Sequence, residues 1–334
     1  MSAGSVRRTW LHGGLTIGRI RHVRESACMH LVQTATTQIH TIHTSSSRAA
    51  AFKMPTTNEL AKKLKALHVP SKPLILPNIW DTASLYTLLS LNSAEAQPVK
   101  AVATASFAIA AARNLKDEDL SLEQNLETVR LIAPICAQAE IPLTTDLQDG
   151  YGDQIASVVT AAVQAGASGA NIEDSIPSAG FGNGISGSLY DKDEQVKRLK
   201  IALQAASDAD CPDFVLNARC DVFKLDETPG LTNNIRMAEA IDRGKAYLQA
   251  GATTVFYWAG GVRGLRTAEV ERLVKELDGR VAVLLWRSSV GHSTEELAKI
   301  GVARISIGPS LYLFAMDSVK TAALRILQGG SIMA

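Results

Sequence analysis

The sequence predicts a (β/α)₈ barrel of the TIM type. Eight short apolar segments alternate with helical patterns from residue 74 onward. These segments are near-continuous apolar runs, which a parallel sheet covered by helices requires. Polar or charged residues stand where several of them end. An open doubly wound sheet is the alternative. That fold places a Gly-rich phosphate turn after its first strand, and LPNIWD offers none.

The elements follow in order. Leu60, Leu64 and Leu67 recur at helical spacing over 58–68, with Thr57 as a candidate N-cap. LILPN (74–78) and VKAVATAS (99–106) read as the first two strands. A helix is expected over 119–139, a third strand over 141–147 and a helix over 153–165. SGANIED (168–174) is the fourth strand, followed by the Gly/Ser-rich stretch SIPSAGFGNGISGS (175–188) and a helix over 191–207. DFVLNAR (213–219) is the fifth strand, and the helix over 237–251 closes on Gly251. TTVFYW (253–258), VAVLLW (281–286) and VARISIG (302–308) complete the eight, with helices over 267–277, 293–300 and 309–328.

The chain has 334 residues and a net charge of +1, unevenly spread. Residues 1–53 hold six Arg, one Lys, five His and thirteen Ser or Thr, against the single acid Glu25. That composition predicts a mitochondrial transit peptide; an upstream extension before a start at Met54, in a cytoplasmic protein, is the alternative. Residues 54–334 form the expected catalytic barrel, with 27 basic and 32 acidic residues and a net of −5. A mildly acidic body argues against nucleic-acid binding through bulk charge. No apolar run approaches eighteen residues, so no membrane span is expected. Cys28, Cys136, Cys211 and Cys220 lack metal or disulfide spacing.

In a barrel of this kind the loops after the strands open on one face, which carries the site. The strand-end residues include Asn78, Trp80 and Asp81, then Ser106 and Phe107, with Asp117 further along that loop. Asp146 and Gln148 follow the third strand, Glu173 and Asp174 the fourth, Arg219 and Asp221 the fifth. Trp258, Arg287 and Gly308 follow the last three. Crowded carboxylates disfavour one another's ionisation, and a hard divalent cation relieves this. Oxygen ligands suit Mg²⁺, with Mn²⁺ as the alternative, whereas zinc would want His or Cys. Arg219 is suited to a substrate carboxylate. The combination fits a small polyanionic acid whose developing enolate needs stabilising. Plainer roles compete. Asp81 reads as an N-cap, His292 as a surface residue, and Arg219 can instead pair with Asp221 or Glu173.

Five motifs in order carry a resemblance. LPNIWDTAS, VATASFAIAAARNLKD, TTDLQDGYGD, GANIEDS and NARCD together resemble the isocitrate lyase/phosphoenolpyruvate mutase superfamily, from about Lys72 to Gly330. The resemblance implies an oligomeric α/β barrel, a homodimer or homotetramer, often with the last helix swapped between subunits. It implies Mg²⁺ held by Asp146, Gln148 and Glu173, directly or through water, with Asp117 nearby. It implies catalytic roles for Asp117, Glu173 and Arg219. Substrate binding is expected of Ala105, Ser106, Phe107, Arg219 and the Gly150–Tyr151–Gly152 turn. The stretch carrying Ser175, Gly180, Gly182 and Gly184 is expected to act as a lid.

The implied activity is Mg²⁺-dependent cleavage of a C–C bond in a small 2-oxo or 2-hydroxy di- or tricarboxylic acid, through an enolate. C–P chemistry on a phosphoenolpyruvate-like substrate, as in a phosphonomutase, is the first alternative. A non-catalytic barrel that has lost its metal is the second. The chain departs from the family in three ways. Gln148 stands where the metal motif has a second acid. The catalytic Cys loop of the isocitrate and methylisocitrate lyases is replaced by SIPSAGFGNGISGS. Ala282 stands where relatives often have Asn.

Overall fold

A computed structural model describes residues 54–226 and 230–332. The expected transit peptide over 1–53 lies outside them.

The barrel forms as expected. Its strands are β1 (Leu74–Leu76), β2 (Asn78–Ile79), β3 (Val102–Thr104), β4 (Leu143–Asp146) and β5 (Gly169–Glu173), then β6 (Val215–Cys220), β7 (Thr254–Tyr257), β8 (Val281–Leu284) and β9 (Arg304–Ser306). All ladders are parallel, in the order β1-β9-β8-β7-β6-β5-β4-β3-β2. The first two segments are one strand divided at Pro77, which has no N–H to give a ladder. Its halves pair with opposite neighbours, β1 with β9 and β2 with β3. The eighth and first strands thereby close the ring. Asn78 fastens the seam: its amide donates to the Thr104 carbonyl at 2.7 Å, and its Oδ1 accepts from the Gly308 N–H at 2.8 Å.

The outer layer is built from α1 (Thr57–Ala66), α2 (Thr82–Leu89), α3 (Ser106–Ala112), α4 (Leu122–Gln138) and α5 (Ile155–Ala165). It continues with α6 (Gly184–Ser188), α7 (Lys192–Asp208), α8 (Asn233–Gln249), α9 (Gly260–Arg263), α10 (Thr267–Glu276), α11 (Thr294–Ile300) and α12 (Ser310–Leu327). The N-cap of α1 is Thr56, one residue before the expected Thr57, in a capping box with Glu59. Asp81 caps α2, as its spacing predicted. The Ala-rich stretch SFAIAAA, expected as loop, is α3. Helix α8 starts four residues before the expected Met237, because Thr232 caps it across two asparagines of low helix propensity.

Apolar side chains from both layers, such as Val158 of α5 and Ile172, Leu216 and Val255 of the strands, fill the space between sheet and helices. A separate cluster of Leu64, Leu74, Leu76, Ala103 and Val215 seals the end of the barrel under α1. Gly169 is needed there: a Cβ at this position would lie 2.5 Å from the Val215 carbonyl oxygen. Among the described residues no helix is long and apolar enough to cross a membrane.

Candidate active site

Side chains alternate faces along a strand, so Glu173 and Asp174 part company. Asp174 points outward. It is fully buried against Arg243 (3.2 Å) and the Tyr247 hydroxyl (2.7 Å), and accepts the Asp221 N–H at 2.9 Å. Its role is to fasten β5 to α8. Glu173 turns toward the mouth and meets Arg219, its partner in the neighbouring strand, at 2.5 Å. Arg219 also donates from Nε to Asp221 at 2.8 Å and lies over the Trp258 ring at 4.9 Å.

The guanidinium is thus bracketed by two carboxylates of its own chain. Burial opposes its charge, but Asp221 and Glu173 outweigh that and raise its pKa further. Burial pushes the Glu173 carboxyl up to about 8; Arg219 opposes this, while Asp221 and Asp146 add to it.

Asp146 ends β4. Its Oδ2 accepts from the Ser106 N–H (3.2 Å) and hydroxyl (3.0 Å), leaving Oδ1 without a hydrogen bond among the described residues. Burial, then the like charge of Asp117, raise its pKa. The Ser106 N–H, expected to receive a substrate carboxylate, is taken by Asp146 in this state.

Gln148 sits at φ +53° just past β4. Its side-chain nitrogen donates to the Asp117 carbonyl at 2.6 Å. A carbonyl only accepts, so the amide NH₂ faces Asp117 and the amide oxygen is left free. Gln148 therefore ties the Asp117 turn to the end of β4.

Two cavities open at the strand ends. The inner one, about 280 Å³, is lined by Ala105, Ser106, Phe107, Asp117, Asp146 and Arg219, among others. The outer one, about 720 Å³, adds Gln148, Glu173, Ser175 and Gly180. They meet at Phe107, Asp117, Arg219 and Trp258. Gly150, Tyr151 and Gly152 line neither cavity. Their turn is held from behind: Asp149 accepts the Tyr151 and Gly152 N–H groups at 3.0 and 3.1 Å and pairs with buried Arg198 at 3.6 Å. Gly182 and Gly184 also stand outside both linings, on a stretch whose base is pinned by the Ser175–Leu189 bridge.

Three residues escaped the sequence reading. Arg304 hides in the apolar run VARISIG, yet it is fully buried inside the barrel. It donates to Asn171 Oδ1 at 3.0 Å and to Ser306 Oγ at 3.2 Å, both residues of the inner cavity's lining. Burial lowers its pKa to about 9, with Asp146 opposing. Ala282 lies in register beside Arg304. A small residue next to a buried guanidinium is a packing requirement that no local pattern announces. Asn171 accepts from Asn217 at 2.6 Å and so links Arg304 to β6. The third is Lys224, which lines the outer cavity.

The oxygen donors fit a hard cation better than any other group. Among the described residues no three His, Cys, Asp or Glu side chains converge tightly enough to hold an ion directly. The oxygen donors available are Asp146 and Asp117 in the inner cavity and Gln148 in the outer one, so an ion held here would keep several of its waters, as Mg²⁺ does.

An acid cluster with a central arginine, at the C-terminal mouth of a parallel barrel, defines an enzyme-type site for small anions. The chain belongs to the phosphoenolpyruvate phosphomutase family, which it matches over residues 64–327, and so to the isocitrate lyase/phosphoenolpyruvate mutase superfamily. It is 32% identical to the 2-methylisocitrate lyase of Escherichia coli K12 over 139 residues, 41% of this chain and 42% of that one. It is 28% identical to the 2,3-dimethylmalate lyase of Eubacterium barkeri over 147 residues, 43% of this chain and 47% of that one. The matches thus span under half the length of these curated relatives. A solved protein of Burkholderia cenocepacia J2315, provisionally named a phosphonomutase, superposes with a TM-score of 0.68 at 33% identity, covering 82% of this chain and 100% of that one.

Proposed function

We propose that the chain is a Mg²⁺-dependent carbon–carbon lyase acting on a small 2-oxo or 2-hydroxy di- or tricarboxylic acid. The observation that carries this is the joining of Asp117, Asp146 and Arg219 in one cavity of about 280 Å³, a volume suited to a small acid. Asp146 would hold the ion, with Asp117, Gln148 and Glu173 reached through water. Bound Mg²⁺ supplies positive charge where negative charge develops on an oxygen of the substrate. Arg219, kept protonated by Asp221 and Glu173, presents fixed positive charge to the same cavity. Nε and Nη1 are engaged, which leaves Nη2 to bind the substrate. Cleavage is retro-aldol in type and leaves an enolate. Turnover assays on malate, methylisocitrate and oxaloacetate analogues, with and without Mg²⁺, test this by release of pyruvate, oxalate or glyoxylate. No turnover, with no metal-dependent ligand binding, refutes it.

C–P chemistry is the second reading. The full-length likeness to the Burkholderia protein favours it. So does Lys224, a cation set against Phe181 of the lid stretch, where a phosphonate would need positive charge. A non-catalytic barrel is favoured by Gln148 alone, and Mg²⁺-dependent oxalate binding separates it from both enzymes.

Two further features belong to this proposal. Helix α12 buries no residue and exposes Phe314, Val319 and Leu327. A second copy covering that face makes a homodimer or homotetramer. Residues 1–53 direct the protein to mitochondria, which a fluorescent fusion with and without them checks.

A further inference from the structure

Lys224 closes the short turn Val222–Lys224 after β6 and reaches into the outer cavity. Its ammonium lies 3.6 Å from the centre of the Phe181 ring and 4.6 Å from that of Trp258. Phe181 belongs to the lid stretch; its carbonyl accepts the Asp226 N–H at 2.9 Å, which ties that stretch to the loop carrying Lys224.

Of the other cations lining the two cavities, Arg219 is held in a buried network, while Arg287 and Lys116 make exposed pairs. Arg219 pairs with Glu173 and Asp221, Arg287 with Asp317, and Lys116 with Glu118. Lys224 makes no ion pair among the described residues. The side chain is half-buried, and two aromatic faces are weaker partners for an ammonium than an anion. Burial lowers its pKa and Arg219 adds to that, while the more distant Asp221, Glu173 and Asp117 oppose it without pairing with it.

We propose that Lys224 receives the second carboxylate of the substrate, in the outer cavity between Phe181 and Trp258. The inference rests on the reading that the first carboxylate and the reacting carbons occupy the inner cavity. It narrows the substrate to a dicarboxylate longer than oxalate. Such an acid reaches past Arg219, where the two cavities join, and meets a point charge that takes a carboxylate from any direction. The same contact holds the lid stretch down through Phe181.

Calorimetric titration of the full chain with Mg²⁺ tests this, using oxalate, L- and D-malate and phosphonoacetate against wild type, Lys224→Met and Lys224→Arg. Oxalate fills the inner cavity alone, so its affinity stays unchanged in both variants and reports an intact fold. One malate enantiomer loses about tenfold or more in Lys224→Met, the loss of one charge-assisted contact, and recovers in Lys224→Arg. Malate binding that ignores the substitution overturns the inference while leaving the inner site intact; malate binding that falls only together with oxalate binding overturns it too, since the loss then lies in the inner site or the fold. A loss confined to phosphonoacetate makes the second anion a phosphonate and overturns the dicarboxylate assignment. Wild type that fails to bind oxalate removes the underlying reading, and the inference with it.

Discussion

Arg219 and Glu173 lie side by side in register on β6 and β5 and meet at 2.5 Å, both nearly buried. Removing one partner of such a pair leaves a buried charge uncompensated. Arg219→Met therefore strands two carboxylates, Glu173 and Asp221. It should cost about 3–5 kcal/mol in urea unfolding and abolish ligand binding. Glu173→Gln keeps a hydrogen-bond acceptor and should cost about 1 kcal/mol. Equal costs for the two variants would contradict the bracketed-arginine account.

Gln148 holds the Asp117 turn by donating to a carbonyl, which a carboxylate cannot do. Gln148→Asp removes that tie and adds a like charge beside Asp117 and Asp146. Without metal it should melt at a lower temperature, by about 1–3 kcal/mol of lost stability. With Mg²⁺ it should recover more than wild type does. Thermal melts across a Mg²⁺ series check this; an identical metal response in both proteins contradicts it.

His68 gives a pH test away from the site. One ring nitrogen bonds to the Leu64 carbonyl at 2.8 Å, and the other is buried without a partner. Burial, then the nearby Arg304, lower its pKa from 6.5 to about 3. The folded value lies below the unfolded one, so the unfolded chain takes a proton that the folded chain refuses. Its contribution to stability is complete above pH 6.5 and is lost as pH falls toward 3. His68→Asn keeps a donor for Leu64 and cannot titrate. The stability difference between wild type and variant should shrink on acidification, by at most about 1.4 kcal/mol per pH unit. A difference constant with pH counts against a neutral His68.

The exposed apolar face of α12 predicts an assembly. Sedimentation velocity should show a dimer or tetramer, and Phe314→Glu combined with Leu327→Glu should shift it toward monomer. A wild-type monomer at micromolar concentration contradicts this.

The barrel was legible because continuous apolar runs and helical spacing are local signals. Asp146, Glu173 and Arg219 were legible because a charge after such a run has few structural uses. Asp174 shows what alternation decides: one residue beyond Glu173, it faces the opposite side and serves packing with Arg243. Lys224 and Arg304 were missed for another reason. Their surroundings come from distant segments: Phe181 lies 43 residues before Lys224 in the chain, and Asn171 lies 133 residues before Arg304. The division of the first strand at Pro77 was visible as a proline, but its use in closing the ring depends on two neighbours far along the chain.

A Mg²⁺-dependent site for a small acid, built on Asp146 and Arg219, should take oxalate only when the ion is present. Calorimetric titration of oxalate into the full chain, with Mg²⁺ and with chelator, tests it most directly. Oxalate should bind in the presence of Mg²⁺, fail to bind with chelator, and fail in Asp146→Asn under both conditions. Oxalate binding that is the same with and without Mg²⁺, or that survives in Asp146→Asn, would contradict the account.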